Sequence, residues 1–339
     1  MKVLEIAKPG EVRLIERPVP QPGPGEVLLR VRTVGYCGTD LSTFRGANPL
    51  VEYPRIPGHE VAGTIEQFGA DATSDLSVGQ HVLVFPYTEC ERCTACQAGR
   101  PNCCQYNQTL GVQRDGALAE YACLPAEKLI AAPGLTDRDL ALVEPLTVGA
   151  HAVARGQATE QDTVLVFGCG AIGLGVIAAA ASRHARVIAV DIDDEKLALG
   201  EKCGAAESIN SLTEDLNTRV AELTDGHGPH LVIEAVGLPQ TFRASVNLVA
   251  FAGRVVYVGY AKAAVEYETK FFVMKELDIR GSRNALRRDF DAVIEMLQSG
   301  SLPVDEIVNR STNLAGACEA MEQWSASPQQ VTKIHITLD

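Results

Sequence analysis

Gly168-Cys169-Gly170-Ala171-Ile172-Gly173 follows the apolar run Val164-Leu165-Val166-Phe167 and opens an alanine-rich helical stretch, residues 171–182. Strand, glycine turn and helix in that order leave few folds open. The first glycine permits a tight turn, the second lets backbone approach a pyrophosphate, and the third lets the helix pack on the strand. The next apolar run, Val187-Ile188-Ala189-Val190, ends in Asp191, an acid placed to accept from both hydroxyls of an adenosine ribose. A 2′-phosphate would meet its charge, and Asp193 and Asp194 follow closely, so NAD is favoured over NADP. Residues 231–235, a helical span from Pro239, and residues 254–259 continue the alternation. The pattern predicts an α/β domain with a doubly wound parallel sheet.

The N-terminal part reads differently. Short β-branched runs at 27–34, 61–67 and 82–85 are punctuated by Pro22-Gly23-Pro24-Gly25, Pro54, Pro57 and Gly79, which predicts a small, mostly antiparallel barrel-like domain. From Phe290 the chain reads as one amphipathic helix, a turn at Ser299-Gly300 and a last strand at 331–338, expected to return to the first domain. At 339 residues two domains are the natural division. The net charge of -13, with no cluster of Lys and Arg, excludes a phosphate-backbone partner. The longest apolar stretch, 172–181, is too short to span a bilayer, and charge and proline interrupt residues 1–9, so neither anchor nor signal peptide is expected. Cytoplasmic residence follows, with reduced thiols, and the ten cysteines read as metal ligands and buried small hydrophobes.

Cys90, Cys93, Cys96 and Cys104 form C-x2-C-x2-C-x7-C, a full tetrahedral shell of thiolates for a structural zinc; on spacing alone either Cys103 or Cys104 closes it. A second set is open. Cys37 with His59 and Glu60, from distant segments, leaves a position for water or a substrate oxygen, the arrangement of a Lewis acid. Glu144, between Val143 and Pro145 at the domain boundary, is a costly carboxylate unless a cation neutralises it.

Gly35-Tyr36-Cys37-Gly38-Thr39-Asp40, Pro57-Gly58-His59-Glu60, the cysteine loop, Glu144-Pro145-Leu146-Thr147-Val148-Gly149-Ala150-His151 and the glycine turn recur in this order in one family. The chain resembles zinc-dependent medium-chain alcohol dehydrogenases of the polyol, sorbitol and threonine dehydrogenase branch, over essentially its whole length. The resemblance implies a GroES-like catalytic domain, 1–148 with 287–339, around an inserted Rossmann NAD-binding domain, 149–286, with the active cleft between them. It implies Cys37, His59 and Glu60 as catalytic zinc ligands, Glu144 as an acid that binds the zinc directly or through water, Thr39 as the hydroxyl that takes the substrate proton, and Cys104 rather than Cys103 in the structural site. For the cofactor it implies Gly168, Gly170, Ile172, Gly173, Asp191, Lys196, Val258, Ser282 and Arg283. Homodimers and homotetramers are both common in the family.

A finer likeness, carried by Tyr53-Pro54-Arg55-Ile56-Pro57-Gly58-His59 and Gly281-Ser282-Arg283-Asn284-Ala285, is to enzymes that oxidise C5 of L-galactonate or L-idonate. It implies hydride transfer from a secondary alcohol of a sugar acid or polyol to NAD. Arg283 then pairs either a substrate carboxylate or the cofactor. One departure stands out: close relatives place a proton-relaying His five residues after the first zinc-binding Cys, where this chain has Ser42. A threonine-type dehydrogenase, a zinc-free NADPH reductase and a non-catalytic NAD-binding sensor are the competing readings. Asp191 argues against the second, and the intact ligand set against the last two.

Overall fold

The computed structural model describes residues 1–338, and the chain divides into two compact units, Met1–Glu144 with Ile307–Asp339, and Pro145–Glu306. The return of the chain to the first unit falls later than the 286/287 division expected from sequence. Helix Arg287–Gln298 lies in the second unit, where its Asp289 is buried and sits 2.7 Å from Nδ1 of the buried His151.

In the first unit a seven-stranded sheet runs Arg310–Asn313, Ile334–Thr337, Glu26–Tyr36, Glu60–Phe68, His81–Val84, Leu129–Ala131, with Tyr121–Pro125 also paired to Glu26–Tyr36. All pairings are antiparallel except the first, Arg310–Asn313 with Ile334–Thr337. Val27, Leu29, Val31 and Val34 join Val61, Ile65, Val82, Ile334 and Ile336 in its core, as the β-branched alternation requires. Register places functional residues side by side: Gly35 faces Glu60 in one pairing and His335 in the other, while Tyr36 faces Ile334.

The second unit is a six-stranded parallel sheet in the order Glu207–Asn210, Arg186–Asp191, Thr163–Phe167, Leu231–Glu234, Arg254–Tyr257, Asp278–Gly281. Its strands are near-continuous apolar runs because helices cover both faces. Pairing aligns Phe167 with Val190 and Glu234, and Tyr257 with Glu234 and Gly281, so Gly168, Asp191, Val258 and Ser282 are the next residues along, at the sheet's carboxyl edge. Among the described residues no helix is long and apolar enough to cross a membrane.

Candidate metal centres and nucleotide site

Cys37 ends the long strand Glu26–Tyr36 and caps helix Gly38–Phe44, while His59 and Glu60 lie where strand Glu60–Phe68 begins beside it. A Cys37 sulfur, a His59 nitrogen and a Glu60 oxygen all lie within 4.8 Å of one another. His59 and Glu60 are buried, and Cys37 keeps partial exposure. Thr39 Oγ1 stands 3.7 Å from Cys37 Sγ. Burial alone would lower the His59 pKa, but Cys37, Asp40 and Glu144 outweigh it and hold the imidazole well above its ordinary value. The same negative field suits a cation. Sulfur, imidazole and carboxylate are zinc's usual donors, and His59 Nδ1 is a buried nitrogen with no hydrogen-bond partner. The donor set fits zinc.

Glu60 has a partner that sequence reasoning missed. Lys333, one residue before the strand Ile334–Thr337, places Nζ 2.5 and 2.8 Å from the two Glu60 oxygens and donates to the Tyr36 carbonyl at 3.1 Å. Room for the Glu60 carboxylate comes from Gly35, where a Cβ would stand 1.9 Å from Oε2. The signal was faint: Lys333 and His335 alternate with Ile334 and Ile336, so both leave the core face.

Glu144 is 5 % exposed and accepts a hydrogen bond from the buried Tyr87 hydroxyl. Burial raises its pKa, against the attraction of His59. Its carboxylate acts electrostatically on His59 and Lys333 but does not belong to the three-donor cluster of Cys37, His59 and Glu60. The contacts of Tyr87 and Asp40 could not be read from sequence; Asp40 Oδ2 accepts from the Cys37 N–H at 2.9 Å.

The four-cysteine loop closes as a cluster of Cys90, Cys93, Cys96 and Cys104. Cys93 Sγ lies 3.5 Å from Cys96 Sγ and 3.9 Å from Cys104 Sγ. Backbone N–H groups point at the sulfurs, from Cys93 to Cys90 at 3.4 Å and from Tyr106 to Cys104 at 3.3 Å, as thiolates require. A backbone hydrogen bond from Cys96 leads the forces that draw the Cys93 thiol down to about 6, while burial pushes Cys96 up to about 11. Cys103 faces Arg100 Nη2 at 3.8 Å, outside the cluster.

In the second unit, Gly168 takes a left-handed φ of +93°, and a Cβ on Gly173 would stand 1.8 Å from the Gly168 carbonyl, so the third glycine is obligatory for helix Ala171–Ala181 to meet its strand. A Cβ on Gly170 would meet nothing within 4 Å, which leaves open space at that helix N-terminus. Asp191 Oδ2 accepts the Cys169 N–H and Oδ1 the Ile192 N–H, both at 2.7 Å, which fixes the carboxylate beside the turn. Asp193 caps helix Asp194–Lys202, in which Lys196 lies, and Ile172 stands half-buried in the first turn after Gly170. Val258 and Ser282 are buried, Ser282 Oγ has no hydrogen-bond partner, and Arg283 is exposed.

Two family descriptions match the chain, the alcohol dehydrogenase GroES-like domain over residues 23–134 and the zinc-binding dehydrogenase over 171–299. It is 33% identical to L-galactonate-5-dehydrogenase of Escherichia coli K12 over 99% of both chains. It is 37% identical to erythritol/L-threitol dehydrogenase of Mycolicibacterium smegmatis over 88% of this chain and 87% of that one. An alcohol dehydrogenase structure from E. coli CFT073, complexed with NADH, superimposes with a TM-score of 0.92 at 33% identity, over 100% of this chain and 99% of the other.

Proposed function

This chain belongs to the zinc-dependent medium-chain alcohol dehydrogenase family, in its polyol branch, and from that premise we propose that it oxidises a secondary alcohol of a sugar acid or polyol, such as C5 of L-galactonate, to a ketone with reduction of NAD. The convergence of Cys37, His59 and Glu60 beside the Thr39 hydroxyl carries the reading. Cys37, His59 and Glu60 would hold zinc, with Glu144 in reach of the same field, and when bound the metal would supply a Lewis acid for the substrate hydroxyl and NAD a hydride acceptor.

The chain's own residues do the rest. Thr39 would act as a relay, taking the substrate's hydroxyl proton while giving up its own, and with Ser42 in place of an imidazole that proton would leave to water. Lys333 balances Glu60, and Tyr87 holds Glu144 by its hydroxyl. Gly168, Gly170, Ile172 and Gly173 would cradle the pyrophosphate at a helix N-terminus, Asp191 and Lys196 would take the ribose, and Val258 and Ser282 would lie on the nicotinamide side, with Arg283 there or on a substrate carboxylate. Cys90, Cys93, Cys96 and Cys104 would hold a second, structural zinc, which would stabilise their loop.

The same proposal includes a homodimer or homotetramer in the cytoplasm. Strand Asp278–Gly281 pairs with Arg254–Tyr257 on one side, its other edge meets no strand among the described residues, and Val273, Met274 and Ile279 beside it are exposed.

The test is NAD reduction across aldonates, polyols, L-threonine and simple alcohols by metal-replete protein, with and without chelator. Oxidation of aldonates or polyols that chelator abolishes is the expected result. Absence of turnover on every alcohol would overturn the reading, and turnover confined to L-threonine would move it to an amino alcohol.

A further inference from the structure

Arg114 has an unusual environment. It is half-buried, its Nε is shut away from solvent with no hydrogen-bond partner, and no carboxylate among the described residues pairs with its guanidinium. Desolvation lowers its pKa. The adjacent acid does not help, because Asp115 is committed to Arg55 at 3.2 Å and Arg17 at 3.6 Å. A guanidinium with Nε shut away and no counter-charge is only partly solvated, and an anion that pairs with it offsets that cost.

Its loop lies against the segments that carry the metal site. Gly116 N donates to Ile56 O at 2.7 Å, Ala117 N to Gly58 O at 2.9 Å and Leu118 N to Pro57 O at 3.0 Å, immediately before His59. On the other side Leu110 N donates to Pro86 O at 3.0 Å, next to Tyr87, and a bridge joins Leu110 to Arg114. Contact with 57–58 is so close that a Cβ on Gly111 would stand 2.8 Å from Gly58 N, and one on Gly116 2.3 Å from Pro57 O. The loop is therefore fixed to the backbone flanking both His59 and the Tyr87–Glu144 pair.

We propose that Arg114 recognises the anionic terminus of the substrate, a carboxylate or a phosphate on a hydroxylated carbon chain, and so selects acidic substrates over neutral polyols. The proposal rests on the dehydrogenase reading above and names its substrate class. A planar guanidinium can bind either anion through two parallel hydrogen bonds, whereas a neutral polyol leaves it unpaired. Discrimination of this kind is large because the penalty falls on the wrong substrate.

The experiment compares kcat/KM for L-galactonate, galactitol 1-phosphate and galactitol, using zinc-loaded full-length protein with NAD. At least one anionic substrate is preferred over galactitol, and which one identifies the anion. In Arg114→Gln the anionic-to-neutral ratio falls about 100-fold, mainly through KM, and Arg114→Lys gives an intermediate ratio. In wild type, acetate competes with galactitol. Preference for galactitol in wild type, or an unchanged ratio in Arg114→Gln with its circular dichroism intact, overturns the proposal while leaving the dehydrogenase reading in place. Should wild type oxidise none of the three, that reading fails on these substrates; calorimetric binding of L-galactonate, lost or kept in Arg114→Gln, then decides for Arg114 alone.

Discussion

Lys333 Nζ and the Glu60 carboxylate form a buried pair at 2.5 and 2.8 Å, with side chains 4% and 0% exposed, although 273 residues separate them in sequence. Each charge is tolerable in that interior only because the other is present. Burial would lower the Lys333 pKa, but Glu60, Cys37 and Glu144 raise it, so the ammonium persists. Glu60 therefore has two cationic claimants, Lys333 and the metal that Cys37 and His59 would share with it.

Lys333→Met strands the Glu60 carboxylate, and in chelator-treated protein it is expected to cost about 3–5 kcal/mol in urea unfolding. The double variant with Glu60→Gln regains most of that loss, because no buried charge is left alone. Equal losses in the single and double variants would show that the pair is not a unit.

His335 sets an acid limit. Both ring nitrogens are buried without partners, and burial, with Lys333 and Arg138 nearby, pushes its pKa down to about 3. The unfolded chain titrates near the ordinary value of about 6.5, so the folded state binds fewer protons below that pH. The contribution is intact above about pH 6.5 and is lost as pH falls toward 3, by about 2 kcal/mol between pH 6.5 and 5. His335→Leu should flatten that slope in urea midpoints measured across the range. An identical slope in both proteins would assign the acid sensitivity elsewhere.

Cys103 and Cys104 make opposite predictions despite being neighbours. Cys104→Ser removes one thiol from the cluster proposed to hold zinc and should lower bound zinc from about two ions per chain to about one, with a drop in Tm. Cys103→Ser, facing Arg100 instead, should keep both ions. Metal analysis of the two purified variants checks this directly.

Asp191→Ala removes the acceptor proposed for the ribose hydroxyls and frees the Cys169 N–H. KM for NAD should rise about tenfold or more while the ratio of NADP to NAD use increases, read from initial rates with either cofactor. An unchanged ratio would mean that Asp191 serves only to brace the glycine turn.

The motifs whose meaning lies within one stretch of chain were legible: the glycine turn with its flanking strand and helix, Asp191 one strand later, and the cysteine loop. The parallel sheet and the mostly antiparallel unit followed from periodicity, and both are present. Hidden features were those created by pairing between distant segments. Nothing near Glu60 in sequence names Lys333, because antiparallel pairing of Tyr36 with Ile334 brings them together. The Tyr87 hydroxyl and the unpaired Arg114 were equally invisible, since side-chain direction in a loop has no period. Helix Arg287–Gln298 was expected in the first unit because its amphipathic face is plain from sequence while the surface it covers is not; the buried contact of Asp289 with His151 decides where it packs. Cys103 and Cys104 were ambiguous by spacing and are separated by where their sulfurs point.

Because Lys333 follows Glu60 by 273 residues, synthesis of the stretch that carries Cys37, His59 and Glu60 long precedes that of the cation that neutralises the carboxylate. A fragment that stops short of Lys333 and strand Ile334–Thr337 would keep an interior carboxylate with no ammonium to balance it, so the sheet and its charge balance are completed together.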